Sequence, residues 1–371
     1  MLDPKQFIDA LRERGIDFFT GVPDSLLKAF CACVAAGPDR HVTAANEGAA
    51  VALAAGHYLA SGRPGLVYMQ NSGEGNAVNP LASLTDPAVY GIPVLLLIGW
   101  RGQPGTHDEP QHAKQGKITL PLLEVMGIPY AILAQDATLA AEQVDTALTT
   151  MREMRTPYAL VVEKGTFSAF PGLQDVEVAC MTREEAIQAV ADALGEKDVI
   201  VSTTGMASRE LFECREGAGQ GHARDFLCVG SMGHASQIAL GISLDQPGRR
   251  VWCLDGDGSC IMHLGSLATI SGVAGPNFVH VLLNNRAHDS VGGQPTAAGH
   301  IDFPAVARAV GYPVVLQADS LESLRTVLRS LPANGPVFLE IKVRKGHREN
   351  LGRPTTTPGQ NMSDFMDFLK R

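Results

Sequence analysis

Residues 249–259 read RRVWCLDGDGS and residues 278–285 read FVHVLLNN. Each is a run of apolar and β-branched residues that ends in small or polar ones, the pattern of a strand buried on both faces of a parallel sheet. Asp257 and Asn285 fall at the C-terminal ends of those strands. A carboxylate, an amide carbonyl and a backbone carbonyl placed there can share one hard cation. Gly256 and Gly258 let the backbone approach a phosphate group, and Ser259 is expected to open a helix whose free N–H groups favour an anion. Together the two runs describe a magnesium diphosphate cradle. A lone DGDG could instead be a turn or a calcium loop. The EF-hand pattern fails, because Cys260 and Ser266 stand where Gly and Glu are needed. No GxGxxG or GxxxxGK occurs, so the usual dinucleotide and P-loop readings are weak.

Working outward, the chain has two halves with one plan. Asp3, Pro4 and Gln6 predict a helix start, with Gln6 reaching back to the cap, and Phe7, Ile8 and Leu11 supply an apolar face that stops at Gly15. Thr182 and Glu185 repeat the start as a capping box, followed by Ile187, Val190 and Leu194, with Gly195 ending the helix. A short strand and polar turn follow each, DFFTGVPDS at 17–25 and DVIVSTTGMAS at 198–208. Small-residue helices (NEGAAVALAAGHYLASGRP, GHASQIALGISLDQPGR) then lead to strands and acidic glycine loops, Gly73-Glu74-Gly75 and Gly256-Asp257-Gly258. Helices alternating with apolar strands predict an α/β protein of two related doubly wound parallel-sheet domains. Any two α/β domains share some of this pattern. The boundary is expected between Gly165 and Met181, giving an N-terminal domain over 1–168, a linker over 169–181 and a C-terminal domain over 182–371.

Composition sets limits on partners. At 371 residues, 45% hydrophobic and 19% charged with mean hydropathy +0.04, the chain can bury two sizeable cores. Thirty basic against 39 acidic residues give net charge −9, with no basic block, so nucleic acid is not an expected partner. The N-terminus lacks the basic and apolar regions of a signal peptide, and Val94–Ile98 is too short to span a bilayer, so a cytoplasmic protein without membrane association is expected. Seven cysteines, at 31, 33, 180, 214, 228, 253 and 260, form no CxxC pair and read as reduced thiols. The NMS at 361–363 matches a glycosylation sequon by chance on this reading.

The run GDGS through NN resembles the thiamine diphosphate motif of the 2-oxoacid decarboxylase and acetolactate synthase superfamily. The likeness runs from GVPDSLLKAF at 21–30 to LGRPTTTP at 351–358, and DEPQH, VGSMGHAS and SVGGQPT are its more specific signatures. The resemblance implies the thiamin diphosphate-binding fold, with the first domain holding the pyrimidine and the second the diphosphate, and no middle domain. It implies thiamine diphosphate and Mg2+ as cofactors, and a homo-oligomer, dimer or larger, with active sites between one subunit's first domain and another's second. The activity it implies is nonoxidative decarboxylation of 3-phosphonopyruvate to phosphonoacetaldehyde and CO2, in phosphonate biosynthesis. The alternatives are the same reaction on 3-sulfopyruvate, a carboligating synthase, or a noncatalytic protein of the same fold, which is expected to lack Glu47 or Asp257.

The resemblance also implies residue roles. Glu47, in NEGAAVALAAG, is the acid that faces the pyrimidine, although a glutamate starting an Ala-rich helix is also an ordinary dipole feature. Asp257, Asn285 and the Ala287 carbonyl hold the cation, with Gly256, Gly258 and Ser259 at the diphosphate. Gly230 offers its carbonyl to the amino group and Met232 bends the cofactor, though packing alone also suits a Met. Asp24 and His112 line the substrate pocket as catalytic groups, with a helix cap at Ser25 and a surface loop as their ordinary readings. Ser25, Lys28, Arg101 and Lys117 are candidate donors to the anionic end of the substrate, and His288, Asp289 and Ser290 are expected near the reacting centre. A zinc site from His107, Asp108, Glu109 and His112 is disfavoured by its spacing and by Pro110.

Overall fold

The computed structural model describes residues 1–171 and 181–371, so most of the expected linker, and Cys180 within it, lie outside the described residues. The chain divides into two compact units that part between residues 171 and 181, with Ser290–Gln294 grouped with the first. Each unit contains one six-stranded parallel sheet.

From edge to edge, the first sheet runs Arg40–Thr43, Phe18–Gly21, Gly65–Gln70, Val94–Gly99, Tyr158–Val162 and Tyr130–Ile132. The second runs Asp225–Leu227, Val199–Ser202, Val251–Gly256, Phe278–Asn284, Val337–Lys342 and Val314–Ala318. Numbered by order of appearance among its own six strands, each sheet has the arrangement 2-1-3-4-6-5. The repeated plan seen in the sequence is therefore a repeated topology.

Successive residues of a strand point to opposite faces, and both faces here are apolar. In the first sheet Leu66, Tyr68, Leu95 and Leu97 enter one core, while Val67, Met69, Leu96 and Ile98 enter the other. In the second, Trp252, Leu254, Val279 and Val281 lie opposite Val251, Cys253, Phe278 and Leu282. This two-sided burial is why these runs carry no polar alternation.

The opening helix of each half starts as the sequence predicts in all but one detail. Asp3 caps Pro4–Glu13, accepting from the Lys5 N–H at 2.7 Å and the Gln6 N–H at 3.3 Å, so Gln6 contributes its backbone and not its side chain. Thr182 and Glu185 form the reciprocal box on Arg183–Asp192. That helix ends before Gly195, and Leu194 packs on the same core from beyond it. Asn361 is buried, with its amide bonded to the Leu227 N–H at 3.0 Å and the Asp225 carbonyl at 2.7 Å, a position closed to glycosylation. The six described cysteines are buried and unpaired. Among the described residues no helix is long and apolar enough to cross a membrane.

Candidate active site

In the first unit Asp24, Ser25 and Arg101 lie on loops leaving the C-terminal ends of the strands, and Glu47 and His112 each begin a helix. Asp24 follows Phe18–Gly21 and is fully buried. Its Oδ1 accepts from Gln70 Nε2 at 2.6 Å and its Oδ2 from the Leu26 N–H at 2.9 Å. The next helix begins at Lys28, so Asp24 is not its cap. Val94–Gly99 ends in glycine because a Cβ at Gly99 would overlap Asp24 Oδ2.

Glu47 is the first residue of Glu47–Ser61, a helix capped by Asn46, whose side chain accepts from the Ala49 N–H at 2.9 Å. Glu47 is only 4% exposed, and Asn76 Nδ2 donates to its Oε2 at 2.8 Å. Burial raises its pKa, with the Asn76 bond opposing, so the neutral acid persists to higher pH than in water. Gly73 lies against this carboxyl so closely that any Cβ would overlap it.

Arg101, Asp108, His112 and Ser25 form one network. Arg101 Nε donates to Asp108 Oδ2 at 2.8 Å, Nη2 to Asp108 Oδ1, and Nη1 to Ser25 Oγ at 2.6 Å. His112, buried at the start of His112–Val125, places Nδ1 3.1 Å from Asp108 Oδ1. Burial works against the charged carboxylate, yet Arg101 and the Glu109 and Gly102 N–H groups hold the Asp108 carboxyl well below its usual range. Burial, joined by the Arg101 charge, lowers the His112 pKa and favours the neutral ring. Asp108 is thus engaged by Arg101 and His112 rather than by a zinc set. Lys28 and Lys117 are exposed.

In the second unit Asp257 follows Val251–Gly256 and begins the helix Asp257–Met262. Ser259 is the third residue of that helix, not its opener. Its Oγ accepts from the Gly233 N–H at 3.0 Å and from the Thr203 hydroxyl at 3.2 Å, tying the helix to the turn at 230–233. Gly230, Ser231 and Gly233 in that turn have φ of 75°, 49° and 89°, and Met232 is half-buried among them. Asp257 is 2% exposed and accepts from the Thr296 hydroxyl. Burial pushes its carboxyl up to about 7, with Thr296 and the Asn285 backbone opposing. His288 packs on Gly258, where a Cβ would meet the ring at 3.0 Å, and burial drives this imidazole down to about 4.

The two asparagines diverge. Asn284 is buried and donates to Glu340 Oε1 at 2.7 Å, a bond within the sheet. Asn285 is half-buried and accepts from the Ala287 N–H at 3.0 Å. Ala287 is half-buried and Ser290 exposed.

Several members of these networks escape sequence reading. Gln70, Asn76 and Thr296 touch the expected residues, but nothing in their local sequence announces it. Gly73 stands in the acidic glycine loop that the sequence marks without assigning it a role. So does Glu74. It is 4% exposed, and neither of its carboxylate oxygens has a hydrogen-bond partner among the described residues. Burial pushes its pKa up to about 8. The folded chain therefore holds a proton that the unfolded chain releases above about 4.5, and stability falls as pH rises from there to 8. Glu74→Gln is expected to remove that pH-dependent loss. Urea titrations should show a gain near zero at pH 4 that grows to about 5 kcal/mol above pH 8. A gain that shrinks with rising pH would contradict this assignment.

Residues 4–121 match the thiamine pyrophosphate enzyme N-terminal TPP binding domain, and residues 178–341 match the C-terminal TPP binding domain. A phosphonopyruvate decarboxylase of Streptomyces viridochromogenes is 35% identical, covering 100% of this chain and 95% of that one. The chain belongs to the thiamine pyrophosphate enzyme family. Another relative of this thiamine pyrophosphate enzyme, a phosphonopyruvate decarboxylase of Streptomyces hygroscopicus, is 34% identical over 99% of this chain and 94% of its own. A sulfopyruvate decarboxylase of Methanosarcina acetivorans is 28% identical over 92% of both chains. Thiamine pyrophosphate, the thiamine diphosphate of the sequence reading, is the cofactor of this family.

Proposed function

We propose that the chain is a carboxy-lyase that decarboxylates 3-phosphonopyruvate to phosphonoacetaldehyde and CO2, using thiamine pyrophosphate and Mg2+, in phosphonate biosynthesis. The observation that carries this reading is the full-length similarity to two phosphonopyruvate decarboxylases. The donor chemistry of the two units supports it. Glu47 is a buried acid biased towards its neutral form, suited to hold a proton against a pyrimidine nitrogen. Asp257 is a buried carboxyl whose charged form calls for a cation, and Asn285 Oδ1 with the Ala287 carbonyl can complete an oxygen set. Gly256 and Gly258 would hold the diphosphate, and Gly230 and Met232 the pyrimidine side. Ser259 would contribute through its backbone, since its side chain is engaged.

When bound, the thiazolium supplies the electron sink for the charge left by departing carboxylate. The chain's own residues bind and orient. Asp108 fixes the Arg101 guanidinium, and three of its five N–H donors are engaged with Asp108 and Ser25. The other two, with the Ser25 hydroxyl, would meet the phosphonate. Lys28, exposed, would add charge at the rim. Asp24 and a neutral His112 would hold and move the proton delivered after CO2 leaves, and His288 and Ser290 would border the substrate. A homo-oligomer with active sites at subunit interfaces is our reading, from the resemblance to this family. Six buried unpaired thiols support a cytoplasmic location.

Parallel assays with phosphonopyruvate, sulfopyruvate and pyruvate, following aldehyde formation, test the substrate. We expect kcat/KM for phosphonopyruvate to exceed that for pyruvate by at least about 100-fold, because a site built to bond a charged group rejects its absence. A preference for either of the other two acids would overturn the assignment.

A further inference from the structure

The cation role of Asn285 raises a question of chemistry. A carboxylate offers an oxygen at both tips, whereas an amide offers oxygen at one and NH2 at the other, and a cation accepts only the oxygen. An asparagine ligand therefore needs something to decide which way it faces.

Asp289 stands where that decision is made. Asn285 Nδ2 donates to Asp289 Oδ2 at 2.7 Å, and a carboxylate can accept only from the NH2 end. The Ala287 N–H donates to Asn285 Oδ1 at 3.0 Å and specifies the same orientation from the other side. One lone pair of that oxygen remains. Asp289 is itself held: its Oδ2 also accepts from Arg183 Nη1 at 2.8 Å and from the Gly346 N–H at 3.1 Å. Arg183 is fixed in turn. It is 6% exposed, and its Nε and Nη2 make paired bonds of 2.7 Å and 2.9 Å to the buried Glu210. The chain Glu210–Arg183–Asp289–Asn285 thus runs from the helices Arg183–Asp192 and Met206–Gly217 to the loop after Phe278–Asn284.

We infer that Asp289, held by Arg183, is a positioning residue that turns the Asn285 amide so that its oxygen faces the cation. The inference rests on the proposed cation role of Asn285. Partners of this kind, one bond removed from a ligand, change metal affinity by about 10- to 100-fold.

The test measures Mg2+ affinity from Mg2+-dependent thiamine pyrophosphate binding by calorimetry, with circular dichroism to verify folding. Asp289→Ala is expected to weaken Mg2+ by about 10- to 100-fold. Asn285→Asp in the Asp289→Ala background should recover affinity to within several-fold of wild type, because a carboxylate at 285 offers an oxygen at either tip and needs no orienting. A role confined to holding the turn predicts no such rescue, because the double variant still lacks the Arg183 partner. Mg2+ affinity unchanged in Asp289→Ala, or a double variant no better than Asp289→Ala alone, overturns the inference. If Asn285→Ala leaves Mg2+ affinity unchanged, it is the cation role of Asn285 that fails, and the inference with it.

Discussion

Glu47→Gln is expected to retain thiamine pyrophosphate binding and to lose turnover by about 10³- to 10⁴-fold, the span of a general acid–base contribution at its upper end. Gln keeps the shape of the neutral acid and can still take the Asn76 hydrogen bond, so the pocket behind Gly73 stays filled. It cannot carry a mobile proton. The environment of Glu47 favours the protonated form through burial, a bias that is of use to a group that holds a proton at an acceptor nitrogen and then takes part in its transfer. Cofactor affinity and steady-state turnover measured on one preparation separate the two effects. Turnover within tenfold of wild type would remove Glu47 from the mechanism. Gly73 bears on the same point: with no room for a Cβ beside the carboxyl, the glycine is a condition for Glu47 to sit where it does.

Asp257→Ala is expected to abolish Mg2+-dependent cofactor binding, weakening it by at least about 100-fold. The metal-free variant should melt at or above the wild-type temperature. A carboxylate 2% exposed with no cation beside it is costly, and its removal relieves the folded state. Lower cofactor affinity without loss of stability is the signature of a residue kept for binding. Calorimetry and thermal melts with and without Mg2+ provide both readouts. An Asp257→Ala chain that binds cofactor with wild-type Mg2+ dependence would show that the cradle lies elsewhere. If active sites are shared between chains, mixing Asp257→Ala with Glu47→Gln should recover activity that neither has alone.

The sequence by itself determined the architecture, and it singled out Asp257 and Glu47, the two residues on which the proposed site rests. Two-sided apolar strands separated by capped helices can bury themselves only as parallel sheets. The repeat of that pattern appears as two sheets with the same strand order. Asp257 stood out because it sits where a buried strand meets a helix, and Glu47 stood out through the resemblance of its surroundings to the family. Tertiary structure alone decided the environment of each group. Asp108, 84 positions from Asp24, is recruited through Arg101 and Ser25. Asn284 turns into the sheet towards Glu340 while Asn285 turns out, a split that follows from strand alternation at the last residue of the strand. Arg183 reaches Asp289 across 106 positions. Such partners share no local pattern, because a side-chain hydrogen bond depends on distance in space, and residues far apart in the chain meet only once the sheets have formed.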